Sequence, residues 1–174
     1  MQVGSSRKFL AVALVASGPL LIGATTLHAD FNARLLAAQN AERSVIGVQP
    51  LVWNDHLASD ARKWADELAA TGKFEHSPDE PGEPIEGENL WAGTPHAFSP
   101  EAMIGLWAAE KKDYRPGVFP ANSRSGDVEN VGHYTQMIWR DTHEVGCATA
   151  TGRREQFLVC RYSQAGNIYG ERPA

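Results

Sequence analysis

The chain has 174 residues, 43% of them hydrophobic and 21% charged, enough for one domain with its own core. Its formal net charge is −5 and no Lys/Arg-rich run occurs, which excludes nucleic acid as a partner, since phosphate neutralisation dominates such binding. Two cysteines, with no CxxC, exclude both a disulfide lattice and a thioredoxin-like redox site.

Residues 1–29 read as a secretory signal: Arg7 and Lys8, then the apolar FLAVALVASGPLLIGA, then small residues ending at Ala29. The run is short for a membrane span and is broken by Gly18 and Pro19, although an uncleaved anchor is the alternative. Residues 30–174 then form one exported domain with 14 basic and 21 acidic side chains. It has no stable membrane span of its own, and a secreted, extracellular or periplasmic monomer is expected.

Helical periodicity covers 31–46, with Phe31, Leu35, Ala38 and Val45 on one face and Gly47 and Pro50 as terminators. A second helix carries Leu57, Ala61, Trp64, Ala65 and Leu68 inward, capped by Asn54 and ended by Gly72. The segment HSPDEPGEPIEGENLWAG is a Pro- and Gly-broken loop. Its Asp79, Glu80, Glu83 and Glu86 are a solvated acidic run or a cation-attracting lip.

Ser99-Pro100-Glu101 starts a third helix, running to about Tyr114. Its inward stripe is Met103, Trp107, Glu110 and Tyr114, and a carboxylate there costs several kcal/mol unless it is paired or opens onto a polar cleft. The alternative is that Glu110 sits at the stripe's edge. HYTQMIWR makes a short fourth helix. EVGCATAT and EQFLVCRYS form a hairpin about Arg153 and Arg154, which sets Cys147 opposite Cys160 for a disulfide; two free thiols are the alternative. Helices first and antiparallel strands later indicate an α+β layered domain.

Single histidines are more often structural than ligating. His28, His56, His96 and His143 lack supporting context, and His143 lies in the polar turn DTHE. His76 in FEHS, Glu88 in GENLW and His133 after Asn130-Val131-Gly132 stand beside core-like segments.

Together, AQNAERSVIGVQPLVWNDHLASDARKWADELA, FEHS, GENLW, WAAEKKDY, GHYTQMIWRDTHEVGCA and VCRYSQAGNIYGERP resemble the CAP superfamily. That family comprises the cysteine-rich secretory proteins, venom antigen-five allergens and plant pathogenesis-related class-one proteins. The resemblance implies a three-layer α-β-α sandwich around a central antiparallel sheet. It also implies a cleft tetrad of His76, Glu88, Glu110 and His133. Two neutral imidazoles suit Zn²⁺ or another borderline divalent ion, with open positions for water held by the carboxylates. Some family members bind sterols or fatty acids in an apolar groove, so a small apolar ligand is a further expectation. Gln164 and Glu86 depart from the usual proline and tyrosine, and the short, disulfide-poor form looks bacterial.

Three functional readings follow. The first is a non-enzymatic binding domain. The second is a metal-assisted hydrolase of peptide or cell-wall material, with Glu88 or Glu110 as general base. The third is an exported scaffold without a ligand. No nucleophile motif such as G-x-S-x-G is present.

Overall fold

The computed structural model describes residues 22–78, 82 and 84–174. Most of the proposed signal segment, and Asp79, Glu80 and Glu83 of the acidic loop, lie outside the described residues. Among the described residues, no helix is long and apolar enough to cross a membrane.

The chain forms α1 (Ile22–Ile46), β1 (Val52–Trp53), α2 (Asp55–Thr71), β2 (Gly87–Gly93), α3 (Pro100–Ala108), α4 (Gly132–Met137), β3 (Glu144–Thr151) and β4 (Gln156–Ser163). The strands lie in the order β1-β3-β4-β2, with β4 antiparallel to both of its neighbours, β3 and β2. The two-residue β1 joins β3 in parallel, so the sheet is mixed at that edge.

Strand alternation separates two apolar faces. Leu90, Ala148, Phe157 and Val159 face Ala61, Ala65 and Leu68 of α2. On the other face Trp91, Val145, Leu158 and Tyr162 join Leu35, Met103, Trp107, Met137 and Ile138 from α1, α3 and α4. The three expected layers are therefore α2, the sheet, and the remaining helices.

Local chemistry sets the helix ends as the sequence indicates. Asn54 Oδ1 accepts from the amides of His56 and Leu57, and Gly72 ends α2 at φ 70°, a left-handed conformation that disfavours a side chain. Ser99 Oγ accepts from Ala102 N at 3.3 Å, with Pro100 in the first turn of α3. Three helix boundaries differ from expectation, the first being the start of α1 at Ile22 rather than at residue 31. The helix α3 stops at Ala108 and tightens into a 3₁₀ turn, Ala109–Lys112, while α4 ends at Met137 rather than Arg140. Val45 is 80% exposed, and the buried face of α1 continues instead through Gln39 and Arg43, both fully buried. A 4-residue step from Leu35 leads to these polar positions, so apolar pattern alone points to the wrong residue.

The register pairs Cys147 with Cys160, and the two form a disulfide with Cα atoms 4.1 Å apart. It closes a loop of sequence separation 13 across the hairpin. Replacing both cysteines with alanine is expected to cost about 3 kcal/mol, mostly through the freer unfolded chain. Urea unfolding checks this, and an unchanged midpoint would refute it.

Candidate functional site

The four tetrad residues come from four different segments. His76 follows α2, Glu88 lies in β2, Glu110 in the 3₁₀ turn after α3, and His133 in the first turn of α4. Because β2 is an edge strand, residues of both sheet faces meet along its open side. A cleft of about 420 Å³ runs there, lined among others by Phe74, His76, Glu88, Leu90, Phe119 and His133.

Two carboxylate–imidazole pairs organise this cleft. His76 Nδ1 lies 2.7 Å from Glu88 Oε1, which also accepts from Ser77 N at 3.1 Å. His133 Nδ1 lies 2.6 Å from Glu110 Oε1, and Glu110 Oε2 accepts from Tyr134 N at 3.0 Å. Each carboxylate thus meets its own histidine and a neighbouring amide, Glu110 with one oxygen each and Glu88 with Oε1 alone, which leaves its Oε2 without a hydrogen bond. Glu110 stands behind His133 rather than in the cleft wall. Its place on the apolar stripe is explained by this pairing, because a hydrogen-bonded carboxylate avoids most of the burial cost.

The rings are held differently. The side chain of His133 is 32% exposed, and its ring stacks on Trp107 with centroids 5.7 Å apart and planes 6° from parallel. The side chain of His76 is 65% exposed and depends on polar contacts. The hydrogen bond to Glu88, reinforced by that carboxylate's charge, raises the His76 pKa, while burial and Arg161 oppose the rise.

Several supporting residues were not visible as such in the sequence. Asn89 donates to the His133 carbonyl at 3.0 Å and to Tyr162 OH at 3.2 Å, and Tyr162 in turn donates to Gln39 at 2.7 Å. Burial raises the Tyr162 pKa, so it stays a neutral donor. Asn167, at φ 58°, donates to Gly132 O and accepts from Thr135 Oγ1, fixing the start of α4. Gln136 accepts from Gly166 N at 2.7 Å and packs where any Cβ on Gly87 would stand, 2.3 Å from Oε1. Much of the GHYTQ and AGN segments therefore builds α4 and its neighbours. His143 is exposed, as expected.

With Nδ1 of both histidines engaged, the nitrogen left to each ring for a ligand is Nε2. Carboxylate-backed imidazoles of this kind suit a borderline divalent ion, since the acceptor fixes the tautomer and raises ligand basicity. The donors fit an open two-imidazole site and not a closed structural one. Among the described residues, no group of three or more His, Cys, Asp or Glu side chains is arranged to hold a metal ion. Each carboxylate stands against Nδ1 of its own ring and so orients it.

Comparison with known proteins agrees with this architecture. A pathogenesis-related protein of PR-1 type from Sambucus nigra is 36% identical over 137 residues, covering 78% of this chain and 77% of that protein. Venom allergen 5 of Vespa velutina is 36% identical over 135 residues, covering 70% of this chain and 59% of the allergen. The crystal structure of NaASP2 with Zn²⁺ superposes with a TM-score of 0.69 at 21% identity, covering 83% and 84% of the two chains, a likeness of fold. Residues 36–162 match the cysteine-rich secretory protein (CAP) family, and the chain belongs to that family.

Proposed function

We propose that this is an exported, non-enzymatic CAP-domain protein whose cleft binds a divalent metal through Nε2 of His76 and His133. The pairing of each imidazole with its own carboxylate carries the reading. When bound, such an ion supplies Lewis acidity and a docking point for an oxygen ligand. The protein's part is to orient both rings and shield them in part. The same pairing disfavours the hydrolase reading, because Glu88 and Glu110 are each held against a histidine and the remaining Oε2 of Glu88 is buried beside Arg161. The apolar walls from Phe74, Leu90 and Phe119 support a small apolar ligand, a sterol or fatty acid, beside the metal. The signal-like leader and the venom allergen relative support export.

Calorimetric titration with Zn²⁺ tests the reading. The wild type is expected to bind, and His76→Ala/His133→Ala to lose affinity by about 100-fold or more. Unchanged affinity in the double variant would remove these ligands from consideration. Binding needs neutral imidazole, so affinity should fall as pH drops through the raised His76 pKa. In metal-free protein the sign reverses. The His76–Glu88 pair adds stability that is full below the ordinary histidine value of about 6.5. That stability is lost as pH rises through the raised value. Thermal melts of wild type and His76→Ala across this range measure the difference. A fluorescent fatty acid titrated into the same samples tests the apolar ligand, and absence of binding would discard that part.

A further inference from the structure

Arg161 lies in β4 directly between Glu88 of β2 and Gly146 of β3 in the cross-strand register. Its side chain is only 16% exposed, so its charge must be met largely by protein groups. Three acceptors meet it. Nε stands 3.0 Å from Glu88 Oε2, an ion pair without hydrogen-bond alignment. Nη1 donates to Glu86 Oε2 at 3.3 Å, and Nη2 donates to Ser77 Oγ at 2.7 Å.

These acceptors belong to two separate pieces of chain. Glu86 and Glu88 lead into β2, whereas Ser77 follows His76 in the loop after α2. That loop meets Glu88 a second time, because Glu88 Oε1 takes both the Ser77 amide and His76 Nδ1. The mostly exposed His76 side chain has little packing to hold it.

We propose that Arg161 is a positioning residue for the cleft: its guanidinium fork ties Ser77 to Glu88 and thereby sets where His76 stands. A guanidinium presents its donors in a rigid plane and can serve several acceptors at once, which a lysine ammonium cannot reproduce from the same backbone position. With Oε2 of Glu88 drawn to Arg161, Oε1 remains for the histidine and the amide. Without Arg161, Glu86 loses its ion-pair partner, and Glu88, 7% exposed, is left with only His76 and the Ser77 amide to meet its charge.

The inference rests in part on the metal reading of His76, so it is tested by one measurement that needs metal and one that does not. Amide hydrogen exchange without metal, and Zn²⁺ calorimetry, are compared for wild type, Arg161→Gln, Arg161→Lys and Ser77→Ala. Arg154→Gln, on the exposed hairpin tip, is the control. In Arg161→Gln, exchange at the Ser77 amide should quicken by about tenfold or more, and Zn²⁺ affinity should fall by about ten- to 100-fold. Arg161→Lys should restore neither, and Arg154→Gln should change neither. Ser77→Ala should quicken exchange in the loop while the thermal midpoint holds. Wild-type exchange at the Ser77 amide in a folded Arg161→Gln, or full restoration by lysine, overturns the proposal. If Arg161→Gln does not fold, Ser77→Ala decides, and unchanged loop exchange there overturns it. If the wild type binds no Zn²⁺, the metal reading fails and hydrogen exchange alone decides the positioning role.

Discussion

Replacing Arg43 with leucine is expected to destabilise the domain by about 3–5 kcal/mol, a third or more of a typical total. Arg43 is fully buried near the end of α1 and has no carboxylate partner among the described residues. Its donors go to backbone: to Gln49 O at 2.6 Å, Met137 O at 2.8 Å, and Trp139 O and Thr142 O at 2.9 Å each. Burial draws its pKa down to about 10, which still leaves it charged at neutral pH. The three distal carbonyls belong to the last residue of α4 and to the chain leaving it, which makes no regular structure before β3. Leucine would match the stem but strand the Met137 and Thr142 carbonyls, at about 1–3 kcal/mol each before relaxation, while Trp139 O keeps the Thr142 amide at 3.2 Å. A fall in thermal midpoint of about 10 °C or more is expected. A shift within a degree or two would show that the carbonyls find other donors.

Gly146→Ala should be comparably damaging for a steric reason. A Cβ built there would lie 2.1 Å from Ala58 N, 2.5 Å from Asn54 O and 2.6 Å from Leu57 C. All three are backbone atoms of the entry to α2, so no rotamer change relieves the clash. That segment is also tied to β3, since Asn54 N donates to Val145 O at 3.0 Å. The helix would have to lift from the sheet and open the contacts of Ala61 and Ala65. A loss of about 3 kcal/mol, at the upper end for overpacking, is expected from urea unfolding. Gly105→Ala is the matched control. Gly105 is exposed in α3 with nothing within 4 Å of a Cβ, so alanine there should stabilise by about 0.5–1 kcal/mol. Equal effects at the two sites would refute the argument.

The tetrad was legible because its members sit in specific segments, FEHS, GENLW, WAAEKKDY and GHYTQ, and because Glu110 interrupts an apolar stripe. The partners were not. Whether Glu110 holds water or holds His133 depends on a 2.6 Å approach between residues 23 apart in the chain. Arg161 reads in the sequence as one more polar residue of an alternating strand. Its role appears only once β4 stands between β2 and β3 and the loop after α2 folds over it.

Local patterns by themselves determined the helices, their caps, the hairpin and its disulfide, since these follow from periodicity, side-chain capping and the two-residue strand repeat. Only the tertiary structure decided that Arg43 and not Val45 points inward, that Gly146 has no room for a methyl group, and that each glutamate orients a histidine. Those outcomes depend on the distance of closest approach between segments remote in sequence. Such distances are set by the packing of whole layers, which no local window of residues contains.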